Sequence, residues 1–150
     1  MLQTRDLFDS LSTKANLDSE ILASVADALA ECEEAVVACA AGMLAEEDAM
    51  QLRSAVSADL DCADVIGATR RVLTRGNGPD DTLLTAQLEA CLIACKHSNE
   101  KCAQHADHHD HCRICAAATQ RAADACRHAL RALQGRAPGH EPRSPAQAVT

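Results

Sequence analysis

Aromatic residues are almost absent from this chain. Among its 150 residues there is no Trp, no Tyr and a single Phe, Phe8. Ala, Leu, Val, Ile and Cys must therefore supply the packing of the core. The lack of aromatic and β-branched runs argues against a sheet, and Ala is the strongest helix former. A chain of this length can bury one core, so we expect a single all-α domain.

The chain also lacks an excess of basic residues and any long apolar segment. Its formal net charge is −8. Phosphate binding needs clustered Lys and Arg with stacking aromatics, so we expect no nucleic-acid partner. No segment approaches the ~20 apolar residues of a membrane span, and residues 1–8 have no apolar signal core. We expect a soluble, cytoplasmic protein that does not enter a membrane.

Signatures of catalysis are missing as well. The carboxylates fall mostly on the predicted solvent faces of helices, and no nucleophile–base pair is identifiable. No Gly-rich phosphate loop occurs. We therefore expect a protein that is not an enzyme.

The residue type that is abundant is cysteine. The nine cysteines are an odd number, which a complete set of disulfides cannot use, and cytosolic thiols stay reduced. They recur at steps of three and four residues, in positions that apolar side chains normally fill inside a helical bundle. Cys91, Cys95 and Cys102 follow one such face, and Cys112 and Cys115 begin another. The sequence therefore predicts a core lined with thiols.

Short links between long periodic segments predict an antiparallel up-down-up-down four-helix bundle over residues 1–134. A short N-terminal helix over residues 4–12 precedes it. The main helices are predicted at about 18–45, 48–75, 81–106 and 108–134. A turn at Gly76–Pro79 ends the second of them. Residues 135–150 contain three of the four prolines and no apolar periodicity, so we expect a disordered tail.

The depth of each thiol in such a bundle follows from the helical rise of ~1.5 Å per residue. Counted from the end where the first and third main helices finish, one set lies roughly 6 to 10 Å deep and another roughly 16 to 22 Å deep. The shallow set comprises Cys39, Cys102, Cys112 and Cys115, with Met43 nearer still to the opening. The deep set comprises Cys32, Cys62, Cys91 and Cys95, with Cys126 further down.

A core of thiols suits a soft cation of low charge. The predicted inner face offers no carboxylate except Asp59, so the oxygen ligands that calcium and magnesium require are absent. Cu(I) accepts two or three thiolates, and a bound cation neutralises charges that are costly inside a bundle. We predict several Cu(I) ions per chain, bound by the nine cysteines.

Histidines are predicted at the open end of the bundle. Imidazole and the thioether of Met43 bind Cu(I) more weakly than thiolate does, so they would receive the ion and pass it inward. Asp107 and Asp110 would add a negative field. The four histidines predicted as ligands there are His105, His108, His109 and His111.

Two other interpretations fit part of the pattern. Zn²⁺ could occupy one tetrahedral site made by Cys102, Cys112, Cys115 and His105, which would leave the deeper thiols unexplained. The other is a structural or adaptor bundle without metal, since Cys often packs as a small buried apolar residue. The position of all nine thiols on or beside one inner face favours coordination.

Five short segments carry a resemblance to a known family: Cys39 with 44–46 (LAE), 61–64 (DCAD), 91–95 (CLIAC), 102–105 (CAQH) and 109–116 (HDHCRICA). In them the chain resembles the cytosolic four-helix-bundle copper-storage proteins. The resemblance implies a homotetramer of bundles that store many Cu(I) ions on cysteine pairs, with partners that donate or accept copper. Cysteines usual in the family are replaced here, which predicts a smaller capacity. The replaced positions are Met43, Ile66, Ser98 and Thr119.

Overall fold

The structure is a computed structural model that describes residues 3–11, 16–75 and 80–136. Within these ranges the chain forms helices and turns and no strand, so the all-α prediction is confirmed. The helices are α1 (Thr4–Asp9), α2 (Ser19–Ala45), α3 (Ala49–Arg75), α4 (Thr82–Ala103) and α5 (Asp110–Gln134). The predicted turn at Gly76–Pro79 and the predicted tail beyond residue 136 lie outside the described residues.

The four long helices form one closed bundle. Each packs against its neighbours along the chain, and α2 also packs against α5, which closes the ring. This is the predicted up-down-up-down arrangement. The short α1 packs on α2 and buries Phe8.

A local sequence signal sets the start of α2. The carboxylate of Asp18 accepts a hydrogen bond from the backbone N–H of Ile21 at 2.8 Å, which caps α2. Extended backbone at Glu46 ends α2, and α3 starts three residues later. The short link forces the two helices to run antiparallel.

The connection between α4 and α5 differs from the prediction. Helices over 81–106 and 108–134 were expected, whereas α4 ends at Ala103 and α5 begins at Asp110. The intervening chain forms tight turns in which His105 N donates to Cys102 O at 3.0 Å and His108 N donates to His105 O at 3.1 Å. These bonds span three residues rather than four, so the α-helix stops early.

The interior combines thiols with aliphatic side chains. All nine cysteines are buried. The end of the bundle where α2 and α4 begin is filled by aliphatic residues, among them Val25, Leu73, Leu84 and Leu88. None of the helices in the described ranges has the length and apolar character that a membrane crossing requires.

Candidate metal centre

The thiols nearest the α4–α5 turn form a compact set, here called the outer group: Cys39, Cys102, Cys112 and Cys115. Cys39 comes from α2, Cys102 from α4, and the other two from α5. The sulfur atoms of Cys102 and Cys115 lie 3.5 Å apart, and Cys39 Sγ lies 3.8 Å from Cys112 Sγ and 3.9 Å from Cys102 Sγ. Two sulfurs that share a metal ion at bond lengths of ~2.3 Å can lie up to ~4.6 Å apart. The outer group can therefore bridge ions without a large movement of its helices.

A buried carboxylate, Asp59 of α3, lies against the outer group. Its side chain accepts a hydrogen bond from Ser98 Oγ at 2.6 Å and from Cys102 Sγ at 3.2 Å. Cys115 Sγ is 3.7 Å away. Burial raises the pKa of Asp59 to about 7, with the Ser98 hydrogen bond opposing the increase. Asp59, Cys39, Cys102 and Cys115 place one ligand atom each within 4.8 Å of one another.

Asp59 is a candidate ligand that the sequence analysis did not select. Its position three residues before Cys62 put it on the inner face of its helix, and this spacing is the signal that was present. What the spacing does not give is the contact across the bundle to Cys102 and Cys115.

One histidine joins the outer group directly. His111 Nδ1 lies 3.5 Å from both Cys39 Sγ and Cys112 Sγ, and the three residues form a second set of possible ligands. Gly42 makes room for the ring, because a Cβ there would lie 3.2 Å from His111 Cδ2. The other ring nitrogen, Nε2, is 3.1 Å from Glu46 Oε1.

The remaining predicted histidines divide into two kinds. His109 lies beside His111, with ring centroids 5.3 Å apart, and contacts Glu46 and Asp48. His108 is exposed and His105 is half-buried. Among the described residues, neither His105 nor His108 belongs to a group of converging metal ligands. The single zinc site predicted from Cys102, Cys112, Cys115 and His105 is therefore not assembled.

Several carboxylates lie near this end of the bundle. Asp107 and Asp110 were expected to create a negative field at the opening. Both are exposed, and Asp110 pairs with Arg113 at 3.2 Å. Glu46 and Asp48, from the α2–α3 link, contact His109 and His111 directly. The negative field from Asp107 and Asp110 stays a prediction.

Met43 is fully buried one helical turn beyond Cys39, on the same face of α2. Its thioether lies on the predicted side of the outer group, toward the opening.

The deeper thiols form the inner group: Cys32, Cys62, Cys91, Cys95 and Cys126. The Sγ atoms of Cys62 and Cys95 lie 3.8 Å apart, and Cys32, Cys62 and Cys95 converge within 4.8 Å. Cys91 and Cys126 lie close enough for each thiol to shift the pKa of the other, which lowers that of Cys91 and raises that of Cys126. Cys126 therefore belongs to the inner group through Cys91.

Thiol–thiol hydrogen bonds distribute the protons of the outer group. Bonds from Cys102 and Cys39 lower the pKa of Cys115 to about 6. The bond to Cys115 raises the pKa of Cys102 to about 11, and burial raises that of Cys112 to about 11. The pKa of Cys39 is also raised, through its bonds to Cys102 and Cys115. At neutral pH most of these thiols keep their protons, so metal binding must release them.

Thiol–thiol hydrogen bonds also lower some pKa values and raise others in the inner group. Bonds from Cys32 and Cys95 lower the pKa of Cys62 to about 5, and a bond from Cys126 lowers that of Cys91 to about 4. The pKa of Cys95 is raised by its hydrogen bonds to Cys32, Cys62 and Cys91. A few thiolates stabilised by neighbouring S–H donors are ready to accept a first cation.

A layer without thiols separates the two groups. Ser98 and Thr119 are fully buried in this layer, and Ile66, one helical turn beyond Cys62 on α3, is fully buried deeper in the core. Thr119 Oγ1 donates to the carbonyl oxygen of Cys115 at 2.9 Å, and Ser98 is bonded to Asp59. Cys32 and Cys39 are seven residues apart on one helix, as are Cys95 and Cys102 on another. The groups are therefore separated by about 10 Å along the bundle axis.

A four-helix bundle with two buried groups of free thiols is a protein that binds soft metal ions in its core. A family model described as copper storage protein matches residues 18–131. The chain belongs to the copper storage protein family, and the resemblance found in its Cys- and His-containing segments is confirmed.

Solved structures give the same result. The chain is 34% identical to the copper storage protein Ccsp from Streptomyces lividans, in a structure loaded with 10 copper equivalents. That match covers 87% of this chain and 99% of the other, with a TM-score of 0.83. A structure of a cytosolic copper storage protein from Streptomyces lividans with five coppers is 38% identical over 75% of this chain and 93% of the other, with a TM-score of 0.73. Curated proteins yield no significant match.

Proposed function

We propose that this chain stores copper as Cu(I), several ions at a time, on the thiolates of the outer and inner groups. The observation that carries the proposal is the burial of nine free cysteines in two groups with sulfur–sulfur separations of 3.5 to 3.9 Å. Thiolates select Cu(I) over harder cations. Copper is the cargo, and reversible coordination suffices to hold it, so the proposed role is storage without catalysis.

The proposed ligands are the nine cysteines, with Met43 and two histidines at the outer end. His111 is supported by its contacts with Cys39 and Cys112 of the outer group, and His109 by its position beside the His111 ring and Glu46. His105 and His108 stay predictions from the sequence. Asp59 is added as an oxygen donor to the outer group.

We further propose that the protein acts in the cytosol as a homotetramer. The relative from Streptomyces lividans that is described as cytosolic supports the location. The reducing conditions of that compartment keep thiols available for metal. The tetramer is proposed from the family resemblance. A partner protein that donates copper to the chain or accepts copper from it is also proposed.

An anaerobic competition titration tests the proposal. The reduced protein is mixed with increasing Cu(I) in the presence of a chromophoric Cu(I) chelator, and the copper retained by the protein is counted. Storage predicts that several ions are withdrawn from the chelator, up to about one per thiolate. Saturation at a single ion, or no uptake, would contradict it.

A further inference from the structure

Two histidines and a carboxylate converge at the rim of the bundle, outside the thiol groups. Glu46 Oε1 lies 3.5 Å from His109 Nδ1 and 3.1 Å from His111 Nε2. Together the three side chains place one ligand atom each within 4.8 Å of one another. They are here called the rim site. His109 has 13% of its side chain exposed, His111 27% and Glu46 37%, so the site is sheltered and still open to solvent.

The spacing of these atoms matches the requirements of a small divalent ion. Zinc binds imidazole nitrogen and carboxylate oxygen at ~2.0–2.2 Å, which at tetrahedral angles separates neighbouring ligand atoms by about 3.4 Å. Glu46 Oε1 lies 3.5 Å from His109 Nδ1 and 3.1 Å from His111 Nε2, and these separations lie on either side of this value.

We propose that the rim site binds a divalent transition-metal ion of the zinc class. Its ligands are Glu46 Oε1, His109 Nδ1 and His111 Nε2, with the fourth position open to water. Two imidazoles and one carboxylate offer nitrogen and oxygen without sulfur, which suits a divalent ion better than Cu(I). The rim site is thus chemically distinct from the thiol groups below it.

A further carboxylate supports the ligand arrangement. Asp48 Oδ2 lies 3.4 Å from His109 Nε2, the ring nitrogen that does not face Glu46. When Nε2–H donates to Asp48, the lone pair of the ring is on Nδ1, the atom that faces the site. A carboxylate in this position fixes the tautomer and orientation of a metal-binding histidine.

The rim site also competes with copper for His111, a consequence that rests on the proposed storage of Cu(I). A neutral imidazole has one nitrogen lone pair. When Nε2 binds the divalent ion, Nδ1 carries the proton and cannot bind copper beside Cys39 and Cys112. Occupation of the rim site therefore excludes His111 from the copper set and slows the uptake of Cu(I).

Cobalt(II) is a suitable probe, because it replaces zinc in such sites and absorbs visible light. Reduced, metal-free protein is titrated anaerobically with Co²⁺. We expect the protein to bind about one Co²⁺ at this site. The visible bands of this ion should appear without a sulfur-to-cobalt charge-transfer band, and Zn²⁺ should displace it. In His109→Ala and Glu46→Gln this component should weaken at least about tenfold, and His108→Ala, an exposed residue of the same turn, is the matched control.

The proposal is tested by comparing the Co²⁺ titrations of the wild type and the variants. If the titrations of the wild type, His109→Ala and Glu46→Gln superimpose, no ion binds at the rim site and the inference is wrong. Circular dichroism verifies that the variants are folded. The Cu(I) capacity of Glu46→Gln is measured separately and should equal that of the wild type, since Glu46 is not among the proposed copper ligands and the thiols are intact. If the proposed storage of Cu(I) is wrong, the wild-type protein itself fails to take up several copper ions. That result is separate from the Co²⁺ titrations, so the two proposals can fail independently.

Discussion

At the scale of single residues, Asp59 places a carboxyl group among thiols in a core without water-exposed atoms. Ser98 and Cys102 donate hydrogen bonds to it. Burial nevertheless raises its pKa from 3.8 to about 7. The folded, copper-free protein therefore binds a proton at Asp59 over a pH range in which the unfolded chain has released it.

This difference predicts how stability depends on pH. Between about pH 4 and pH 7 Asp59 keeps its proton in the folded state and loses it in the unfolded state, so the contribution of Asp59 to the free energy of unfolding falls as the pH rises. Asp59→Asn removes this contribution, so over this range the free energy of unfolding of the wild type should fall relative to that of the variant as the pH rises. Denaturant unfolding of the reduced, metal-free protein at several pH values measures the effect. Asp61→Asn, an exposed carboxylate on the same helix, is the control, and parallel curves for Asp59→Asn and the wild type would contradict the account.

Ser98 leads to a second prediction at this scale. It lies between the two thiol groups and bonds to Asp59, so a thiol in its place would add a ligand between them. Ser98→Cys should raise the Cu(I) capacity by about one ion, since each bridging thiolate supports about one metal. Native mass spectrometry counts the ions. Ser98→Ala should keep the wild-type capacity, and an unchanged count in Ser98→Cys would show that this layer is too narrow for copper.

At the scale of structural elements, the α4–α5 turn orients its histidines unequally. His109 contacts the α2–α3 link and His111 contacts both this link and the outer group, whereas His105 and His108 do not reach converging ligands among the described residues. We predict that the double variant His109→Ala/His111→Ala takes up Cu(I) more slowly while its final capacity changes little. The pair His105→Ala/His108→Ala should load at the wild-type rate. Stopped-flow absorption of the growing copper–thiolate bands measures both, and equal rates in the two variants would contradict this assignment.

The helices also divide the thiols into two groups that can be removed separately. Replacing Cys32, Cys62, Cys91 and Cys95 by Ala leaves Cys126 as the only thiol of the inner group and should remove roughly half of the bound copper. The variant should remain folded, because each change removes only one buried atom, at a cost of about 1 kcal/mol per site. The matched variant replaces Cys39, Cys102, Cys112 and Cys115. Full copper capacity in the first variant would show that the inner thiols serve packing alone.

At the scale of the whole molecule, the sequence predicted the bundle and the division of its thiols because both depend on regular helix geometry. Periodicity places Cys32 and Cys39, or Cys95 and Cys102, two turns apart on one face. It does not give the rotation of one helix against another. The contact of Asp59 with Cys115, and the position of His111 between Glu46 and Cys39, depend on that rotation. The length of the α4–α5 turn also depends on local hydrogen bonds that periodicity does not reveal.

The central claim is that copper is held in the interior by two thiol groups with a layer between them. A crystal structure of the Cu(I)-loaded protein, with anomalous diffraction at the copper edge, tests it most directly. We predict copper in two separate sets, one near Cys39 and Cys115 and the other near Cys62 and Cys91. Copper confined to the surface or absent near Cys91 and Cys95, or ions spaced evenly past Ser98 and Thr119, would contradict the account.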